Sequence, residues 1–340
     1  MYAPSVIRSS LLLVAAIWLV ACSREPTIHQ DNFLAFGTPV TVMVAGGDAH
    51  EAETAFAAIR ADFAQLHNTW HAWKKGGLLG EINDSIANQQ AIPISIEAWS
   101  VLQRTTELAN ASGHRFEPAI GKLVKLWGFH GESFNGPPPD AAAIAELVRA
   151  QPRMSDLSYQ DGQLRSRNPN VQIDLGGIAK GYALDRAIAV LRAHDIENAI
   201  VNTGGDLRAF GTHGSRPWSI GIRDPRPDHP PLARIEIQSD ESVFTSGDYE
   251  RMFEHEGRRY HHIIDPRSGW PARGLHSVTV IHRDAMTADA VATALLVAGP
   301  SEWRAIAAQM GIEYVLAVDE LNTLHMTEAM QARLLDRIAP

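Results

Sequence analysis

The chain has 340 residues, with 30 Lys and Arg against 39 Asp and Glu, a formal charge of −9, and 45% hydrophobic residues. That balance excludes a disordered, collagenous or disulfide-stapled chain, and without a basic stripe it argues against nucleic acid as a partner. A single cysteine forbids an intramolecular disulfide and a cysteine-based zinc site.

That cysteine stands at the end of a leader-like segment. Arg8 precedes an uncharged apolar run, Leu11–Ala21, of 11 residues. A membrane span needs about 20 such residues, so the run reads as a secretory leader over 1–21. Leu19-Val20-Ala21-Cys22 resembles a bacterial lipobox, which predicts cleavage before Cys22 and its lipidation. Residues 22–32 then read as a polar tether and 33–340 as the folded domain. Val40–Val44 is β-branched and predicts a strand. Asp48 and Glu51 begin a helix whose apolar face is Phe56, Ile59, Phe63 and Leu66. Trp99, Leu102, Thr106 and Ala109 mark a second helix that stops at Gly113. Gly131–Asp140 is loop, and Asp140 caps a short helix carrying Ile144, Leu147 and Val148.

The second half is richer in strands. Val171–Leu175, Ala199–Val201, Trp218–Ile222, Ala233–Ile237, Tyr260–Ile264, Ser277–His282 and Tyr314–Val318 all carry the strand pattern. Helices are expected over 178–193, 287–298, 301–310 and 327–337, with a surface loop at Arg223–Pro231. Several strands follow one another without a helix between them, which points to an α+β fold rather than an alternating parallel sheet.

Five stretches could carry chemistry. In the first, a strand ends at Asp174, Gly176-Gly177 turns the chain, and Lys180 falls in the first turn of a helix. Helix N–H groups and an ammonium then converge as they would on a phosphate, although the spacing is not that of a P-loop. A structural turn with a solvated lysine explains the segment equally well. In the second, Asn202-Thr203-Gly204-Gly205-Asp206, paired glycines admit close approach of the backbone, or simply turn the chain. The third, Val243–Tyr249, reads as a turn rich in hydroxyls. It lacks the Gly-x-Ser-x-Gly elbow that would make Ser246 a nucleophile. In the fourth, His261 and His262 are adjacent on a strand and must face opposite ways, so at most one can act as a proton acceptor in a given pocket. In the fifth, Asp289 and Thr293 lie at i and i+4 of a helix, a carboxylate beside a hydroxyl, which suits magnesium better than zinc. Helix-end charge and packing would also account for that pair.

Taken in this order the pieces resemble the ApbE family of flavin transferases. The match rests on Gly37-Thr38, Phe116-Glu117-Pro118, Leu126-Trp127-Gly128-Phe129, Asp174-Leu-Gly-Gly-Ile-Ala-Lys-Gly, Asn202-Thr-Gly-Gly-Asp206, Thr245-Ser-Gly-Asp248, His262-Ile-Ile-Asp-Pro-Arg-Ser-Gly269 and Asp289-x3-Thr293. The resemblance implies two T-fold-like halves with FAD in the cleft between them. It also implies a reaction in which FAD is cleaved, FMN passes to a threonine hydroxyl of an acceptor protein, and AMP is released.

By the same resemblance Asp289, Thr293 and the main chain at Gly177 would hold Mg2+. Phe36, Trp70, Arg115, Phe116, Glu117, Asp174, Lys180 and Ile263 would line FAD, and His262 would be the base. Phe36 stands where the family often has Met, and the residues between Trp70 and Asn83 leave Trp73 as the alternative flavin contact. The implied acceptor is a membrane redox subunit, which would set the protein on the periplasmic face of the inner membrane, with the outer membrane as the other destination. Two other readings share these residues: an FAD pyrophosphatase in which water replaces threonine, and a lipid-anchored FAD-binding protein without turnover.

Overall fold

The computed structural model describes residues 25–74, 76–131 and 136–337. Cys22 and the apolar leader lie outside these residues. Its largest element is an eight-stranded sheet that is antiparallel throughout. In spatial order it contains β1 (Ile28–Ala35), β2 (Thr38–Ala45), β6 (Ala199–Thr203), β7 (Asp206–Phe210), β10 (Glu241–Gly247), β13 (Leu275–His282), β14 (Tyr314–Asp319) and β15 (Leu324–Met326). Smaller sheets are built from β3 (Ile92–Pro93), β4 (Leu157–Gln160) and β5 (Gln163–Ser166), from β8 (Ser219–Ile222), β9 (Ala233–Glu236) and β16 (Asp336–Arg337), and from β11 (Met252–His255) with β12 (Arg258–His261). The α+β expectation holds.

The helices are α1 (Ala49–Trp70), α2 (Leu78–Ala87), α3 (Ile96–Ala111), α4 (Gly121–Leu126), α5 (Ala141–Arg149), α6 (Ala179–Ala193), α7 (Ala285–Gln309) and α8 (Glu328–Arg333). Their starts follow the capping chemistry of the sequence. The Asp48 carboxylate accepts the His50 and Glu51 N–H groups, Ser95 caps α3, and Asp140 accepts from Ala142 and Ala143. The apolar faces then fill two large cores. One contains Phe56, Ile59 and Phe63 of α1 with Val278 and Val280 of β13. The other contains Leu79, Ile82, Leu102 and Ile173. α7 belongs to both, with Met286, Ala290 and Ala294 facing the second core and Ala288, Val291 and Leu295 facing the first. Asp289 and Thr293 therefore lie on a helix packed on both sides.

Several elements differ from expectation. Ile28–Asn32, read as tether, forms most of β1, an edge strand whose Phe33 and Ala35 pack on the first core while alternate residues face outward. Val171–Leu175 is not a ladder strand. Its Gln172 makes a lone parallel bridge to Ile120, and the Asn83 side chain brackets Ile173 through both its N–H and its carbonyl. Its partner is a loop, so an apolar run that looks like a buried strand has no sheet to join. The strand expected over Tyr260–Ile264 ends at His261, leaving His262 beyond it. Val243–Tyr249, read as a turn, is mostly strand β10. The two helices expected over 287–298 and 301–310 are present as the two parts of α7, separated by non-helical backbone at Gly299 (φ 71°) just before Pro300, the first beginning at Ala285. The helix expected over 327–337 ends at Arg333, and Asp336–Arg337 pairs with β9 instead.

Candidate active site

The site is assembled where α6 crosses α7. A Cβ on Gly181 would lie 2.4 Å from the Ala285 carbonyl oxygen, so only glycine permits this approach. Asp185, one turn along α6, caps α7 by accepting the Ala285 and Met286 N–H groups at 3.0 and 3.1 Å. Thus locked, α6 presents the Gly181 N–H to the Asp289 carboxylate at 2.9 Å, which puts Lys180 and Asp289 in one pocket.

The pocket is acidic. Asp289 is 5% exposed. Burial pushes its carboxyl above the usual range and repulsion from Asp206 and Glu250 adds to this, against the opposing pull of Lys180. For Lys180, burial works against its charge, but Asp206, Asp289 and Glu250 together overcome that and hold its pKa above the ordinary lysine value. Its Nζ forms an ion pair with Asp206 rather than standing free for a phosphate. Asp206 closes the Gly204-Gly205 turn noted in the sequence, but neither its pairing with Lys180 nor the part of Glu250 is legible there, because the three come from separate segments that only the fold brings together.

Thr293, one turn beyond Asp289, exchanges a hydrogen bond of 3.1 Å with the Ser246 hydroxyl on β10. A Cβ added to Gly177 would sit 3.4 Å from Thr293 Oγ1 and 3.4 Å from the Phe116 ring, so the Gly177 main chain lies directly against both. The structure thus brings together Asp289, Thr293, Gly177, Lys180 and Phe116. Among the described residues there is no group of three or more His, Cys, Asp and Glu able to hold a metal ion. The oxygen donors gathered here are one carboxylate, one hydroxyl and the main chain.

The two histidines diverge as expected, although only His261 is in the strand. His261 is 4% exposed and its Nε2–H donates to the Ala272 carbonyl at 2.7 Å, a structural role. His262 is half-buried against Phe129, and its Nδ1–H donates to the Arg251 carbonyl at 3.3 Å. That bond leaves Nε2 as the lone-pair nitrogen. Burial, with His261 and Arg251 beside it, pushes the His262 pKa down to about 3. Lys180 contributes to the same lowering, which puts His262 within electrostatic reach of the acidic pocket.

The flavin-lining candidates divide. Trp73 Nε1 donates to Asp174 at 2.9 Å, whereas Trp70 is packed against both cores beside a small apolar cavity shared with Phe36 and Tyr182. This favours Trp73 over Trp70 as the aromatic tied to the Asp174 turn. Trp73→Phe is expected to weaken FAD binding about 3–10-fold, the worth of one such hydrogen bond, as read by flavin fluorescence quenching. An unchanged dissociation constant would separate Trp73 from the ligand.

Phe36 occupies a two-residue hairpin turn at φ 53°, followed by Gly37 at φ 72°, with its ring 5.5 Å from Phe63. An aromatic residue at positive φ is strained, and the hairpin holds it at the cavity. Ile263 is buried in the first core.

Arg115 and Glu117 are committed to protein partners. Arg115 pairs with Glu302 at 3.0 Å, and Arg267 shares that carboxylate. Glu117 is buried. One oxygen accepts the Met154 N–H at 2.9 Å and the Ala119 N–H at 3.3 Å, and the other meets His114 at 2.8 Å. A carboxylate so occupied is a scaffold group, and only its main chain remains for a ligand. Glu117→Ala is expected to lower stability by about 2–4 kcal/mol in denaturant unfolding, by leaving buried N–H groups unpaired, while FAD affinity changes little. A large loss of affinity at unchanged stability would reverse that assignment.

Comparison with known proteins places this geometry. The ApbE family description matches residues 36–316. The FAD:protein FMN transferase of Rhodobacter capsulatus is 40% identical over 335 residues, covering 96% of this chain and 63% of that protein, so the chain spans less than two thirds of this relative's length. Among solved structures, the ApbE protein of Thermotoga maritima aligns with a TM-score of 0.83 at 34% identity, over 91% of this chain and all of that one. The flavin transferase ApbE of Vibrio cholerae aligns with a TM-score of 0.79 at 25% identity, over 91% of this chain and 100% of that one.

Proposed function

Because the chain belongs to the ApbE family, we propose that it is an FAD:protein FMN transferase, cleaving FAD and joining FMN to a threonine of an acceptor protein with release of AMP. The observation that carries this reading is the convergence of Asp289, Thr293, Gly177 and Lys180, with a lone-pair imidazole nitrogen on His262 nearby. In the reaction the threonine oxygen bonds to the FMN phosphorus. The bond from that phosphorus to the bridging oxygen breaks, and AMP departs with that oxygen. His262 Nε2 takes the threonine proton, its Nδ1–H being held by the Arg251 carbonyl. Lys180, its ammonium paired with Asp206, contributes positive potential to the pocket that the phosphates enter, and the Asp174 turn with Trp73 orients the flavin portion.

The donor set fits magnesium. Asp289, Thr293 and the Gly177 main chain are hard oxygen donors, and three carboxylates face one lysine, a negative balance that a divalent cation offsets. When bound there, magnesium would neutralise charge developing on the transferring phosphate. The deciding experiment incubates the protein with FAD, magnesium and a candidate acceptor, and follows flavin by mass spectrometry. FMN on an acceptor threonine supports transfer. Free FMN with an unmodified acceptor establishes hydrolysis instead, and unconsumed FAD leaves a binding protein.

The same reading puts the protein on the periplasmic face of the membrane, held by lipid on Cys22 and facing a membrane redox subunit as acceptor. Its support is the short apolar run ending in Leu19-Val20-Ala21-Cys22. Among the described residues no helix is long and apolar enough to cross a membrane. Cys22→Ser is expected to release the protein from the membrane fraction, and a variant that still sediments with membranes would reject the anchor.

A further inference from the structure

Asp206 takes no part in the reaction described above, yet it is among the most constrained groups in the pocket. It is 4% exposed and opens β7 immediately after Gly204 and Gly205, both at positive φ. A Cβ on Gly204 would lie 2.3 Å from Thr38 Oγ1, so the turn that aims Asp206 is itself fixed against β2. One carboxylate oxygen accepts the Thr245 N–H at 2.9 Å, and the other meets Lys180 Nζ.

Lys180 has a long flexible stem, and Asp206 is one of three anions acting on it, with Asp289 and Glu250. Glu250 is exposed as a residue, but burial of its carboxyl holds its pKa above the usual range, which makes it the weaker anionic partner. Asp289 is buried and already bonded to the residue after Lys180, so an unheld ammonium would find its strongest remaining partner there.

We propose that Asp206 is a positioning residue that holds the Lys180 ammonium away from the Asp289 carboxylate and so keeps Asp289 open to a divalent cation. The inference rests on the reading of Asp289 as a cation ligand. It adds that the lysine competes with the cation unless restrained. Asp206 acts through Lys180 and touches neither cation nor substrate.

The test measures Mn2+ binding to the full FAD-free protein by electron paramagnetic resonance of the free ion, with titration calorimetry of Mg2+ alongside. Asp206→Asn keeps an acceptor for the Thr245 N–H but loses the charge that holds Lys180. It is expected to weaken Mn2+ binding about tenfold or more. In a Lys180→Met background the same substitution is expected to change affinity by less than about threefold, since no ammonium remains to swing across. Equal losses in both backgrounds, or no loss in the single variant, overturn the proposal.

Lys180→Met alone gives a measurement that does not depend on Asp206→Asn folding. A restrained lysine predicts a rise in Mn2+ affinity of less than about threefold, whereas a rise above about tenfold would mean that Lys180 already competes and Asp206 restrains nothing. Asp289→Asn tests the underlying reading separately: if it leaves Mn2+ binding intact, the ligand assignment falls, and this inference with it.

Discussion

Asp289→Asn is expected to abolish both FMN transfer and release of free FMN, with turnover falling about 10³-fold or more. The substitution retains an oxygen for the Gly181 N–H and therefore spares the crossing of α6 on α7, which Asp289→Ala would leave with an unpaired buried donor. What it removes is the single carboxylate in the proposed cation set, and charge neutralisation at a transferring phosphate is worth several kcal/mol. Thr293→Ala should lose less, because a neutral hydroxyl is the weaker ligand and its other bond is a single exchange with the Ser246 hydroxyl. Initial rates measured across a magnesium titration distinguish lost affinity from lost turnover. Near-normal magnesium-dependent rates in the Asp289 variant would refute the assignment.

For His262→Ala the expected loss in transfer rate is about 10-fold and at most about 10²-fold, because an imidazole held at a pKa of about 3 is a weak base, with FAD affinity nearly unchanged. His261→Ala should mainly reduce stability, because that ring is buried and bonded to the Ala272 carbonyl. The pH profile follows from the direction of the shift. A base is competent when deprotonated, and a pKa lowered to about 3 leaves His262 neutral throughout the range from about pH 5 to 8. On that shift this group gives a flat response over the range, where an unperturbed histidine would give a rate that rises with pH. A limb near neutral pH that vanishes in His262→Ala would show a solvated imidazole in the working complex. Loose phosphoryl-transfer transition states draw little on a base, so equal and mild losses for both histidines would demote His262 to a positioning role.

The parts of the site that local chemistry specifies were legible in the sequence. Asp289 and Thr293 face one way because helical spacing requires it, and Lys180 falls in the first turn of α6 because two glycines precede it. The divergence of His261 and His262 is only partly legible, because strand alternation applies to His261 alone, and the Ala272 and Arg251 carbonyls fix the two rings separately. Other features depend on partners distant in sequence. Glu117 and Arg115 look like ligand groups until Met154 and Glu302 are seen to occupy them. Asp206 and Ser246 sat in segments noted for their turn-forming residues, but their roles arise from contacts with Lys180 and Thr293, 26 and 47 residues away. β1 is not legible as a strand because an edge strand with one wet face has the composition of a tether, and Val171–Leu175 carries a strand pattern without a ladder because burial alone does not supply a strand partner.

The two-sided packing of α7 has a thermodynamic consequence. A chain of this length would ordinarily be free to melt in two stages, one for each hydrophobic core. Here Met286, Ala290 and Ala294 are fastened to one core while Ala288, Val291 and Leu295 are fastened to the other, on the same few turns of backbone. Loss of either core strips one side of that helix and exposes apolar surface that the surviving core cannot cover. Partial unfolding therefore gains little chain entropy and forfeits burial on both sides, so the intermediate with one core intact is raised in free energy. The helix that bears Asp289 and Thr293 couples the two cores into one cooperative unit, so the residues on which the proposed chemistry depends are expected to be lost together with both cores in one transition.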